Sequence, residues 1–192
     1  MKTRFSPVDL GKAYRLINHG PTVLVSSAHD GLENVMAASW ACGLDTDPPK
    51  VTLVVDSETK TRELIERSGV FVLQVPTVSQ AALTHAVGSL SLADDPEKLA
   101  KCGVDLYRVD GLSVPFVSGC TAWLHCKVIA EPHVQATYDL FIGEVTAAWA
   151  DDRVFRDGHW RFEDADLGYR SLHYIAGGHF YAIGEVINVG HG

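Results

Sequence analysis

Three short stretches of this 192-residue chain carry residue types and spacings suited to chemistry. In Asn34-Val35-Met36-Ala37-Ala38-Ser39-Trp40 the central side chains are small on both faces of an extended segment. A flat ring system could lie close against such a backbone; a strand packed tightly on another element would need the same residues. The second stretch, Asp56 to Arg62, sets Ser57, Thr59, Lys60 and Thr61 at a helix start. Helix N-termini present free amides and partial positive charge. A lysine in the first turn opposes that dipole, and a bound phosphate would account for it. Ordinary capping by Ser57 or Thr59 would account for the hydroxyls. The third gathers Tyr169, His173, Tyr174, Gly177-Gly178, His179, Phe180 and Tyr181. The glycine pair permits close backbone approach. The spacing of His173 and His179 matches no ligand pattern, so no metal site is expected; an aromatic core with surface histidines is the alternative.

These residues need a scaffold that is mostly strand. Segments 22–27, 34–42, 51–55, 70–75, 119–130, 139–149 and 179–187 read as strands, and 153–156 with 159–162 as a hairpin about Asp157-Gly158. Segment 51–55 is short and β-branched, as a fully buried strand would be. Asp30-Gly31 and Asp110-Gly111 are turn dipeptides. A short helix is expected over 12–18. The next runs from the hydroxyl-rich segment to Gly69, with Thr61, Leu64, Ile65 and Ser68 on its buried face and Arg62, Glu63, Glu66 and Arg67 on the other. Two more are expected over 79–87, capped by Ser79 and followed by Gly88, and over 95–102, capped by Asp95. In 119–130, Cys120, Ala122, Leu124 and Cys126 should face one way and Thr121, Trp123, His125 and Lys127 the other. Seven or eight strands with few helices suggest a closed or nearly closed antiparallel β-barrel in one domain, residues 1–192.

The formal net charge is −8 and no run of five cations occurs, which disfavours nucleic acid and membrane surfaces as partners. No apolar stretch approaches the ~18 residues of a membrane span. Lys2 and Arg4 precede no hydrophobic signal core, so a cytoplasmic location is expected, with Cys42, Cys102, Cys120 and Cys126 as reduced thiols.

The order of these segments resembles the flavin reductase-like, FMN-binding split-barrel family. The resemblance rests on N-x-M-x-A-S-W after an Asp-Gly turn, then D-P-P, a strand, S-x-x-K-T at a helix start, F-V-L-x-V-P, F-I-G-E-V and the G-G-H-F-Y-A-I-G-E-V tail. It covers about residues 12 to 187. It implies a mainly β, FMN-binding split β-barrel of antiparallel Greek-key type with short helices, assembled as a homodimer with FMN near the interface. It places the flavin edge on Asn34, Met36, Ala37, Ala38, Ser39 and Trp40 and the flavin phosphate on Ser57, Lys60 and Thr61.

Where many family reductases carry Gly-Asp-His before the F-x-G-E-V strand, this chain has Ala136-Thr137-Tyr138. Tyr138 can donate a hydrogen bond or stack but carries no charge at pH 7. The expected activity is an FMN-dependent oxidoreductase that accepts hydride from NADH or NADPH. Free flavin, a partner monooxygenase or a small electrophile would be the acceptor. Tyr138, His173 and Tyr174 are the expected catalytic residues. Alternatives are an ene-reductase acting on activated alkenes and an FMN electron-transfer module. Trp40, Trp123, Phe141, Trp149 and Trp160 exceed what one barrel interior readily holds, so some are expected at a subunit interface.

Overall fold

Period-two alternation builds most of the body. The computed structural model describes residues 5–190. Strand β1 (Ser6–Pro7) and helix α1 (Leu10–Ala13) lead into the hairpin β2 (Val23–His29) and β3 (Leu32–Ala38). Its turn places Asp30 at φ 48° and Gly31 at φ 80°, the positive values that a two-residue hairpin loop requires. Next come β4 (Ala41–Thr46), β5 (Pro49–Val54), α2 (Lys60–Ser68), β6 (Val70–Val75), α3 (Ala81–Ser89) and α4 (Lys98–Lys101). The short pair β7 (Leu106–Tyr107) and β8 (Phe116–Val117) precedes the long β9 (Ala122–Ile129), α5 (Pro132–Tyr138) and β10 (Leu140–Ala150). Two hairpins close the chain: β11 (Phe155–Arg156) with β12 (His159–Trp160), and β13 (Leu172–Ala176) with β14 (His179–Ala182).

The main sheet runs β3-β2-β6-β9-β10-β5-β4, with β1 also on β10, and every pairing is antiparallel. Its two outermost strands, β3 and β4, are joined only by Ser39-Trp40. A two-residue link between opposite edges forces the sheet to curl until those edges meet, leaving a split between them. Inside lies one apolar cluster that includes Val25, Leu53, Phe71, Leu124 and Phe141. A second, with Leu24, Val35, Phe116 and Trp123, fills the space between the outer sheet face and the segments from α3 to β8.

Several expectations change here. The segment 34–42 is two strands, broken at Ser39-Trp40 where the chain crosses the split. Strand β5 alternates buried and half-buried residues, because one of its faces looks out of the barrel. Arg62 is buried with Thr61, Leu64 and Ile65, since its guanidinium finds partners outside α2. Thr77 and Gln80, not Ser79, form the capping box ahead of α3. Gly88 lies inside α3, and only 98–101 of the expected 95–102 helix is α-helical. Cys120 precedes β9 and belongs to the outer cluster, whereas Cys126 belongs to the inner one. The last strand stops at Ala182 because its partner is β13, a strand the sequence reading passed over along with α5. Of the five large aromatics, Trp123 and Phe141 are fully buried and Trp149 and Trp160 half-buried; Trp40 alone is exposed, at 75%.

Both Cys120 and Cys126 are sealed and burial pushes their thiols upward. Cys42 is exposed and Cys102 half-buried. Thiolate is the reactive form, so a thiol reagent on native protein should label Cys42 first and Cys102 next. Cys120 and Cys126 should react only on the timescale of unfolding, as peptide mapping against time would show.

The β13–β14 hairpin is tied down at His19. Its Nε2 lies 3.0 Å from Ser171 Oγ, and its ring meets Trp160 and His173 edge-on. Burial, with the neighbouring His173 adding to it, lowers His19 from 6.5 to about 4. The unfolded chain therefore binds the extra proton between those values, so stability rises with pH across that window and is lost on acidification through it. The loss is on the order of 3 kcal/mol. Urea midpoints at pH 4.5 and pH 7 should differ less for His19→Gln than for the native chain.

Candidate functional site

The sequence of β3 lays a groove along the open split. At one end, α2 begins with Thr59 as N-cap, its hydroxyl accepting from Arg62 N at 3.2 Å. Thr61 Oγ1 accepts from Asn34 Nδ2 at 2.9 Å, while Asn34 Oδ1 is buried without a partner. Around this corner Asn34, Thr59, Lys60, Thr61, Ser89 and Lys98 line a hollow of about 160 Å³. Lys60 lies 2.5 Å from Glu63 Oε2. Lys98 is different: it is 2% exposed, and no carboxylate among the described residues faces it. Burial lowers its pKa. A buried lysine whose ammonium reaches a hollow at a helix N-terminus, with hydroxyls around it and no carboxylate beside it, could hold an anion.

Met36 leads from this corner into a wider hollow of about 480 Å³, lined also by Ala38, Ser39, Trp40, Asp139, Tyr174 and Ile175. Gly88 lets α3 pack closely on β3 here: a Cβ at that position would fall 3.2 Å from that of Ala37. As the outer strand on one side of the split, β3 leaves alternate amides and carbonyls without a ladder partner. The wider hollow is therefore a slot with apolar walls and a polar edge, suited to a flat heteroaromatic ring.

Asp139 is held in place by Arg62, which donates to Asp139 Oδ1 at 2.8 Å, Gln135 O at 2.9 Å and Val55 O at 3.1 Å. It also donates to Glu66 at 2.5 Å and lies over the Phe141 ring at 4.9 Å. This clamp fixes the start of β10 against α2.

The structure therefore brings Asn34, Met36, Lys60 and Thr61 to the corner and Met36, Ala38, Ser39, Trp40 and Tyr174 to the wider hollow, while Ala37 lines an adjoining cavity against α3. It leaves Ser57 on the exposed turn before Thr59. Tyr138 is 64% exposed at the end of α5, edge-on to His133, outside the hollow. Alternation along β13 turns His173 the other way, toward His19, with Nδ1 3.1 Å from Gly20 O. His179 is exposed and lines none of these hollows. Among the described residues no cluster of three His, Cys, Asp or Glu side chains could hold a metal, and no helix is long and apolar enough to cross a membrane. Sequence reading missed Lys98 and Asp139, which line these hollows. Only a lysine on an apolar face of the 95–102 segment could have hinted at the first.

The fold is an antiparallel split barrel, and known proteins share it. The "Flavin reductase like domain" family matches residues 14–174. The crystal structure of an FMN-binding domain of a flavin reductases-like enzyme from Shewanella baltica superposes with a TM-score of 0.97 at 60% identity, covering 99% of this chain and 100% of that one. The Escherichia coli protein YddH is 40% identical over 98% of this chain and 100% of its own length. The reductase component of a 4-nitrophenol monooxygenase from Rhodococcus opacus is 25% identical over 75% of this chain and 74% of its own. The chain belongs to the flavin reductase-like family.

Proposed function

We propose that this protein is an FMN-dependent oxidoreductase that takes hydride from a nicotinamide and passes reducing equivalents to free flavin, to a partner monooxygenase or to a small electrophile. The observation that carries this reading is Lys98: a buried, unpaired cation joined through Met36 to a slot of ring size. Lys98, Lys60 and Thr61 would hold the FMN phosphate. The buried, unpartnered Asn34 Oδ1 would accept from a ribityl hydroxyl. Ala37, Ala38 and Ser39 would let the ring approach the backbone, with Trp40 at the mouth of the slot. Bound FMN supplies two-electron chemistry that no side chain here can provide.

The chain's own part is to bind, orient and shield. Tyr174 offers a phenol at the slot wall. His173 holds β13 through Gly20, and so acts through position. Tyr138 stands outside the slot, where a partner subunit could bring it into play. Trp40 and Ile175, at 75% and 61% exposure, form an apolar rim on the wider hollow that a second copy of the chain would cover. The Rhodococcus relative's role as a reductase component supports a monooxygenase partner.

The test is to titrate the purified protein with FMN, then reduce the complex anaerobically with NADH or NADPH in parallel. Stoichiometric FMN and rapid bleaching of the flavin band are expected. Free flavin and an enone as acceptors separate flavin reduction from alkene reduction. Absence of FMN binding would overturn the reading.

A further inference from the structure

We infer that a second cavity, enclosed by α3, β3 and the β13–β14 hairpin, is the binding pocket for a small uncharged carbonyl or carboxamide group, held by Thr84, His85 and Tyr174. This rests on the flavin reading above and adds to it the seat of the other substrate.

The cavity measures about 160 Å³. A cavity of ~150 Å³ holds benzene, so the space suits a six-membered ring bearing one small polar substituent. It shares Ser39 and Tyr174 with the ring slot and Gly88 and Ser89 with the anion corner. A molecule seated there therefore lies beside the slot.

The polar groups that line it are uncharged or imidazole; no carboxylate, lysine or arginine lines it. That composition favours a neutral ligand. Thr84 carries the argument. The residue is fully buried and its Oγ1 has no partner. A threonine within a helix commonly donates back to the carbonyl four residues earlier, yet Thr84 does not. Its hydroxyl remains free to donate into the cavity, and a carbonyl oxygen is the simplest acceptor.

His85, the next residue on α3, is placed from the other side. The Gly177-Gly178 turn, with φ 57° and 79°, lies on its ring, and a Cβ on Gly178 would come within 3.2 Å of His85 Nε2. Gly178 thus serves His85, across from the hairpin, while Gly177 lies by His179 of the hairpin itself. Tyr174 is set by its backbone N–H donating to Thr22 Oγ1 at 2.7 Å and by packing on Phe180.

Two ligands carry this chemistry: the carboxamide of a nicotinamide and the carbonyl of a cyclic enone. The FMN-loaded protein is titrated with nicotinamide and, separately, with cyclohex-2-enone, following the His85 ring C–H resonances by NMR. A saturable shift is expected with at least one probe, and which one identifies the source. Thr84→Val, an isosteric change, should weaken that probe about tenfold through loss of one hydrogen bond. Thr84→Ser should restore it, and FMN affinity should stay within about twofold in both. Thermal melting of the same preparations confirms that they are folded. Three results would overturn the proposal: no saturable shift with either probe, equal probe affinity in Thr84→Val and the native chain, or an equal loss of FMN affinity, which would assign the cavity to the flavin. Failure of the flavin reading is a separate result, native protein that binds no FMN; the His85 titration on that protein then decides the pocket by itself.

Discussion

Lys98→Met should weaken FMN binding about 10- to 100-fold, with riboflavin affinity nearly unchanged. A charge-assisted hydrogen bond to a phosphate is worth about 1.5–3 kcal/mol, and riboflavin has no phosphate to lose. The double change Lys60→Ala with Thr61→Ala should act in the same sense. The loss from Lys60 alone should be smaller, because that ammonium already has Glu63 at 2.5 Å. Equal weakening of both flavins would move the phosphate elsewhere.

The same substitution should stabilise the ligand-free protein, since it removes a buried cation that nothing neutralises. Burial lowers Lys98 below its ordinary 10.5. The unfolded chain therefore holds the extra proton in the window below 10.5, and stability of the ligand-free protein rises with pH there. A phosphate-bearing ligand keeps Lys98 protonated and should flatten that slope. Urea titrations of native and Lys98→Met protein, with and without FMN, measure all of these effects.

Arg62→Ala should destabilise the fold by about 3–5 kcal/mol, near the limit for a single substitution. It removes a guanidinium that is 7% exposed, strands the carbonyls of Val55 and Gln135, and frees Asp139 and Glu66 from their partner. Arg62→Lys should recover only part of the loss, because one ammonium cannot reach acceptors on α2, α5 and the ends of β5 and β10 together. Because Asp139 forms part of the slot wall, FMN affinity of the folded fraction should fall as well. An unfolding midpoint shifted by less than about 1 kcal/mol would show that the clamp is not structural.

Much of this architecture is legible in the chain. Apolar runs buried on both faces in 22–27 and 70–75, and alternation in 122–129 and 140–149, mark the strands directly, because side chains along a strand repeat every two residues. Thr59, Lys60, Thr61 and Gly69 mark α2 for equally local reasons, a cap at one end and a left-handed residue at the other. The small-residue run 37–39 and the hydroxyl-rich helix start are visible as composition. Their union into one groove is not, since Asn34 and Thr61 meet only after β3 and α2 have packed.

What the sequence could not decide are properties of pairs far apart in the chain. Arg62 reads as a solvent-facing residue of an amphipathic helix; its partners, 73 and 77 residues away, make it an interior one. Lys98 reads as an ordinary lysine in a short helix, and only the packing of the segment after α3 beside α2 and β3 buries it on a hollow without a counter-charge. His173 and Tyr174 read as one cluster, yet adjacent residues on a strand must face opposite ways, and the docking of β13 beside residues 19–22 sends His173 to His19 and Tyr174 to the slot. Local periodicity fixes which way a side chain points along its own element. Whether that direction leads to solvent, to a counter-ion or to a ligand is set by the neighbouring element, and curling the sheet until β3 and β4 meet brings those neighbours together.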